Sequence, residues 1–489
     1  MTVDDVRPLG ESASTGVDPA QLAVCLDVIE ALAALPSDHP DVVRVQRATA
    51  KLYKSVKRQR RAERRDAVLA ADQAVTAATA TGAPGRIDDE TRGIPLVSST
   101  VGATAGILRQ PRACYICKER YREVDAFYHQ LCPPCAKLNH ERRDARTELT
   151  GRRALLTGGR AKIGMYIALR LLRDGAHTTI TTRFPQDAAR RFAAMDDSDQ
   201  WLHRLRILGV DLRDPAQVIA VADSVAAQGP LDILINNAAQ TVRRSPGAYA
   251  HLVAAESAPL PDGPLPEIVS FSSAGGRSTA ATAIAGPPQS SAITPQALTA
   301  LALTSGSATP DRIALASAID AGGLVPDLDP VNSWVQRVDE VDAVELLEVQ
   351  LCNSVAPFIL ISRLRPAMAA APARRKYVVN VSAMEGVFSR GYKGPGHPHT
   401  NMAKAALNML TRTSAREMLT DGILMTAVDT GWITDERPHP TKMRLADEGF
   451  HAPLDLVDGA ARVYDPIVRG EQGEDLFGCF LKDYAPAAW

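Results

Sequence analysis

Residues 153–175, RALLTGGRAKIGMYIALRLLRDG, constrain the fold of this chain more than any other segment. An apolar run, a glycine turn and an apolar-periodic stretch closed by glycine predict a buried strand, a tight turn and a helix. Glycines at such a turn let backbone N–H groups approach a pyrophosphate, and the helix N-terminus favours its negative charge. Apolar strands and helical segments then alternate from Gly151 to the C-terminus, the pattern of a doubly wound parallel sheet in an α/β domain. ILGVDLRD ends one strand at Asp211, and LDILINNAAQ ends the next at Asn236 and Asn237.

With 489 residues, the chain can hold two or three domains. Residues 1–80 read as a helical region: Leu22, Val24, Ile29, Leu32 and Leu35 suit one amphipathic helix, and residues 42–80 suit a longer one. The second helix carries eight Lys/Arg in KLYKSVKRQRRAERR (51–65), read as a solvated face or as a patch for an acidic macromolecular partner. Residues 81–110 read as a linker, and residues 111–147 as a small cysteine module. In that module Cys114, Cys117, Cys132 and Cys135 form two CxxC knuckles separated by 14 residues, spacing that suits a closed, structural Zn²⁺ site of zinc-ribbon type. His129 and His140 are spare ligand candidates.

Residues 148–489 form the α/β domain, interrupted near 243–327 by a stretch rich in Ala, Ser, Thr, Pro and Gly. That stretch reads as a partly disordered insertion, with EIVSFSS (267–273) a candidate short strand. NSWVQRVDEV (332–341) reads as a helix start, with Trp334 at the border of a cleft. A net charge of −1 supplies no global field toward nucleic acid or membrane. The apolar stretches are core-sized, so no membrane span is expected. The N-terminus lacks a basic segment followed by an apolar one, which places the chain in the cytoplasm as an expectation. A homo-oligomer is also compatible with this reading.

The pieces TGGRAKIG, VDLRD, NNAA, the asparagine of LCNSVAPF, VVNVSAMEG and the lysine of NMAKAALNML occur in the order found in short-chain dehydrogenases/reductases, which the chain resembles from Gly151 onward. The resemblance implies a Rossmann-type domain that binds NAD or NADP and transfers hydride to or from a carbonyl, an alcohol or an activated double bond. Its cofactor positions fall on Thr157, Gly158, Arg160, Lys162, Ile163 and Gly164 in the turn. Asp211 and Leu212 would lie by the adenine, Asn237 and Ala238 near the ribose, and Gly431 and Ile433 at the nicotinamide end. Lys162 replaces a family glycine. Thr182 and Arg183 stand where NAD-preferring relatives usually carry an acid, and a guanidinium there suits a 2′-phosphate, which favours NADP over NAD.

The family's catalytic positions match only in part. Asn353 and Lys404 coincide with its asparagine and lysine. The serine position falls on Ala383 beside Ser382, and the tyrosine position on Thr400, whose aliphatic hydroxyl is far too weak an acid to replace a phenol. His397 lies at the tyrosine offset of the enoyl-reductase branch and could act as a general acid; Tyr392, in the same Gly/Pro-rich loop, could fold back. Two readings stay open. One is an NADP-dependent reductase with an atypical site. The other is a catalytically degenerate NADP-binding sensor or scaffold whose zinc module and basic helix engage a macromolecule.

Overall fold

In a computed structural model of the chain, residues 16–84, 86, 103–244, 246–271, 320, 322–327 and 329–489 are described. They divide into two compact units, 1–73 and 74–489. In the first, helix α1 (Pro19–Leu32) starts at an Asp18 cap, and α2 (Pro40–Ala77), whose last four residues belong to the second unit, carries the basic run. Val42 is the one buried residue in these two helices, and Leu22, Val24 and Ile29 are exposed, so the expected apolar stripe of α1 is not covered.

The second unit opens with the cysteine module. Strands β1 (Thr104–Ala113) and β2 (Arg120–Asp125) pair antiparallel, and α3 (Pro133–Arg143) follows. Strand β1 begins inside the segment expected to be linker. Ala80 and Thr81 donate backbone hydrogen bonds to Ala126 and Phe127, so the chain before β1 is tied to the module.

The α/β domain contains β3 (Arg153–Leu156), α4 (Lys162–Arg173), β4 (His177–Thr182), α5 (Pro185–Ala193), β5 (Leu205–Gly209), α6 (Pro215–Ala226) and β6 (Ile233–Asn236). From the insertion come α7 (Ala250–Ser257) and β7 (Glu267–Ser270). After it come α8 (Ala343–Ala369), β8 (Lys376–Ser382), α9 (Pro398–Met418), β9 (Ile423–Asp429), α10 (His439–Asp447), α11 (Leu456–Glu471), β10 (Phe480–Lys482) and β11 (Ala485–Ala487). The sheet order is β11-β10-β9-β8-β6-β3-β4-β5-β7, parallel throughout except for the β10–β11 hairpin. This is the Rossmann-type doubly wound arrangement, with β7 added at one edge. Most of the expected disordered stretch, residues 272–319, lies outside the described residues. The remainder is folded against β5 and the cleft. Residues 332–341 form turns, and the following helix begins at Ala343 under an Asp342 cap.

Strand side chains alternate between two apolar layers, as a pleat with period 2 requires. Leu156, Ile180, Ile235 and Val379 pack with α4, α5 and α11, whereas Leu155, Leu208, Leu234 and Val378 pack with α6, α8 and α9. Truncating one of these fully buried leucines to alanine would cost about 2–5 kcal/mol. Helix α8 is long and apolar enough by composition to cross a membrane. Here its Ala356, Leu360, Leu364 and Met368 belong to the second of these layers.

Candidate active site and cysteine cluster

The chain leaves β3 for β4 on one side of the sheet and later places β6 on the other, so the carboxyl ends of β3 and β6 flank a crevice. A cleft of about 390 Å³ opens there, lined by the glycine turn, the ends of β4 and β5, the NNAA segment, Cys352, Thr434, Glu436 and Leu456.

Close packing sets the turn. A Cβ on Gly164 would lie 1.9 Å from the Gly158 carbonyl oxygen, and one on Gly158 (φ +71°) would lie 2.9 Å from Ala238 Cα. Lys162 occupies the left-handed region at φ +52°, so the backbone keeps a glycine-like conformation although the glycine is gone. Helix α4 begins there with no side-chain cap, and its first residues, Lys162 to Gly164, line the cleft. Asn237 and Ala238 are fixed from below: both backbone N–H groups donate to Thr157 Oγ1 at 3.0 Å, and the Asn237 amide donates to the Thr157 and Gly158 carbonyls.

Arg183 is half-buried and lines the cleft. Its guanidinium donates to Tyr249 Oη at 3.3 Å and lies 5.0 Å from that ring's centroid. Asp211 is gripped by Arg213, at 2.6 Å from Nη2, and Arg213 reaches on to Glu348 at 2.7 Å. Burial would push the Asp211 carboxyl up, but Arg213 outweighs it and holds the group below the usual carboxylate range. Arg160 pairs with Asp187, and Lys162 Nζ lies 3.4 Å from Asp320 at the return of the insertion. The lining residues Tyr249, Arg244 and Leu324 carry no motif and could not be found by sequence. Arg213, two residues after a strand-end acid, was findable from its spacing.

Near the first turn of α9, Lys404 is buried, and its ammonium donates to the Val381 carbonyl at 2.9 Å. Desolvation pulls its pKa down to about 8, with Cys352 and Glu385 opposing. Asn353 sits in a π-helical turn, Leu351–Val355, that widens α8. Its side chain is exchanged with the Gln240 backbone, accepting from N at 2.7 Å and donating to O at 2.9 Å. Asn353 therefore anchors the strand-end loop.

The expected replacements for the missing phenol separate. Tyr392 is 76% exposed and, like His397, Thr400 and Ser382, is not among the residues that line the cleft. Ser382 is buried, and its hydroxyl pairs with Asn408 Oδ1 at 2.6 Å, so it is committed to helix α9. Thr400 is also buried, its hydroxyl without a hydrogen-bond partner. His397 stacks on Trp334 at 3.9 Å between centroids, and its Nδ1 lies 2.8 Å from the Trp334 carbonyl. That carbonyl needs an Nδ1–H donor, so the neutral ring presents Nε2 as a proton acceptor. His399 is buried 3.8 Å from Glu345, where desolvation lowers its pKa.

In the cysteine module the two knuckles converge. Cys132 caps α3, and all four sulfur atoms lie within 4.8 Å of one another, Cys117 and Cys132 at 3.6 Å. Tetrahedral Zn–S bonds of about 2.3 Å require sulfurs roughly 3.8 Å apart, so the cluster fits a zinc ion. The two spare histidines are used otherwise. His129 is buried against Thr81 Oγ1 at 2.8 Å, and His140 pairs with Asp125 at 3.1 Å. Gly431 (φ +76°) and Ile433 lie where the module meets the α/β domain, Ile433 within the apolar cluster that covers the cysteines.

Residues 152–254 match the family described as short chain dehydrogenase. The chain is 30% identical over 368 residues to the uncharacterized protein R665 of Acanthamoeba polyphaga mimivirus, spanning 73% of this chain and 71% of that one. It is 40% identical over 91 residues to a Streptomyces lividans protein named "Probable oxidoreductase", 19% of this chain and 29% of that one. Among solved structures, the NADPH-bound carbonyl reductase from chicken fatty liver is similar at 18% identity and TM-score 0.43, over 71% of this chain and 98% of that one. A Burkholderia cenocepacia short chain dehydrogenase in complex with NADP is similar at 20% identity and TM-score 0.42, over 68% and 97%.

Proposed function

Because the chain belongs to the short-chain dehydrogenase/reductase family, we propose that it is an NADP(H)-dependent oxidoreductase acting on a carbonyl, an alcohol or an activated double bond, with a proton-handling group other than tyrosine. The observation that carries this reading is a crevice lined together by the tightly packed glycine turn, Arg183 and the strand-end Asn237 and Ala238. The turn fits a dinucleotide, since its glycines leave no room for side chains and α4 presents uncapped N–H groups to an anion. Arg183, held against Tyr249, supplies the guanidinium that favours a 2′-phosphate. When bound, NADPH supplies hydride at its nicotinamide.

The chain's own residues then bind and handle protons. Lys404 carries positive charge one turn along α9 from Thr400, and Asn353 fixes the Gln240 loop over the cleft. His397, with Nδ1 directed at the Trp334 carbonyl, keeps Nε2 as the ring nitrogen that faces a substrate proton. The cysteine cluster holds structural zinc. NADPH oxidation over a panel of aldehydes, ketones and enones tests the proposal, and His397→Gln should abolish turnover while leaving NADPH affinity intact. A chain that binds NADPH and turns over none of the panel points to the sensor reading, which the commitment of Ser382 to Asn408 and the exposure of Tyr392 favour.

A further inference from the structure

Two lining residues of the cleft, Ile163 in the glycine turn and Leu456 at the start of α11, also belong to or pack on the apolar cluster around the cysteine knuckles. That cluster joins Leu108, Cys114, Tyr128 and Cys132 to Ile433 and Leu454. Between them runs the segment 430–434, which the module grips at a specific point: the Trp432 backbone N–H donates to Tyr115 Oη at 2.9 Å. Tyr115 lies between the two cysteines of the first knuckle, so the sequence that shapes the knuckle also places this hydroxyl.

The grip is reinforced on both sides. The Leu454 N–H donates to the Trp432 carbonyl at 3.3 Å. Behind Gly431, a Cβ would meet Leu454 at 2.7 Å and Arg462 Nε at 3.3 Å. Arg462 itself is fully buried and donates to Asn139 Oδ1 of α3 at 2.8 Å. Tyr128 donates to Asp458 of α11 at 2.6 Å, and Arg143 holds Asp455 and Asp458 at 2.7 and 3.1 Å. A module that only decorated the domain would not place its hydroxyl on a backbone N–H two residues from the cleft-lining Thr434.

We infer that the cysteine module is a working wall of the cleft, and that Tyr115 is a positioning residue that pre-orders segment 430–434 for the bound dinucleotide. The inference rests on the proposal that the cleft takes NADPH. A segment already ordered binds ligand without the entropy cost of fixing it. By thermodynamic reciprocity, ligand in the cleft must also tighten the module.

Tyr115→Phe deletes one oxygen and keeps the ring. On the full chain, calorimetry should show NADPH affinity about five-fold weaker, the loss of one neutral hydrogen bond. The KM for NADPH should rise by the same factor with kcat nearly unchanged. In the wild type, NADPH should slow amide hydrogen exchange across residues 104–143, and Tyr115→Phe should lose most of that slowing. A variant that melts earlier but binds NADPH as tightly as wild type would assign Tyr115 to stability alone and overturn the inference. So would a wild-type module whose exchange NADPH leaves untouched, a result that needs no variant. Wild type that fails to bind NADPH at all overturns the dinucleotide reading, and this inference with it.

Discussion

Lys404→Met should make the protein more resistant to unfolding near neutral pH while weakening its hold on dinucleotide. Lys404 is buried, and desolvation lowers its pKa from 10.5 to about 8. Below pH 8 the lysine is charged in both the folded and unfolded chain, and the folded chain bears the cost of keeping that charge out of water. Between pH 8 and 10.5 the unfolded chain binds more protons than the folded one, so stability rises with pH across that window. At 1.36 kcal/mol per unit the span is roughly 3 kcal/mol, of which about 2.5 kcal/mol is recovered by pH 10. Methionine has no such dependence. Urea unfolding of both proteins at pH 7, 8, 9 and 10 therefore isolates the effect: the stability of wild type relative to Lys404→Met should climb by about 2–3 kcal/mol over the series. The lost bond to Val381 offsets part of the gain at pH 7, by about 1 kcal/mol, and leaves the slope untouched. The same variant should bind NADPH about ten-fold or more weakly, since a charged hydrogen-bond donor is gone. A flat difference across pH 7–10 would show that Lys404 is solvated or otherwise compensated, and the reasoning about its burial would fail.

Arg183→Ala should reduce NADPH affinity roughly 10- to 100-fold and leave NADH affinity within about two-fold, as expected for one charge-assisted contact to a 2′-phosphate; equal losses for both nucleotides would place Arg183 elsewhere in recognition. Metal analysis should find about one zinc per chain and none in the Cys114→Ser, Cys132→Ser double variant, which should also melt at lower temperature because the cluster with Ile433 and Leu454 loses its centre. Asp429 is pushed up to about 6 by burial and by Asp483, so the native chain binds more protons than the unfolded one between pH 4 and 6. Stability should fall as pH rises through that window, and Asp429→Asn should abolish the fall in a urea series.

Much of this architecture was legible in the chain because its signals are local. The glycine turn, the strand-end Asp211 and Asn236, the two cysteine knuckles and the strand at 267–270 each follow from residue type and spacing within a few positions. The catalytic region was less legible. Tyr392 and Ser382 are plausible by offset from Lys404, yet one lies exposed in the loop and the other turns toward Asn408. Which way a side chain faces depends on packing partners dozens of residues away, and no periodicity reports that. The insertion, read as partly disordered with one short strand, gives no sign by composition that Tyr249 and Leu324 within it line the cleft.

The sequence by itself determined the doubly wound sheet, the glycine turn and the clustered cysteines, since backbone sterics, pleat alternation and residue spacing act over short stretches. Only the tertiary structure decided that Lys162 keeps a glycine's conformation, that Arg183 is braced by Tyr249 and that Tyr115 reaches Trp432. These are contacts between segments up to 317 residues apart. Their energies depend on the shape of a packed interior, which no single segment of the chain contains.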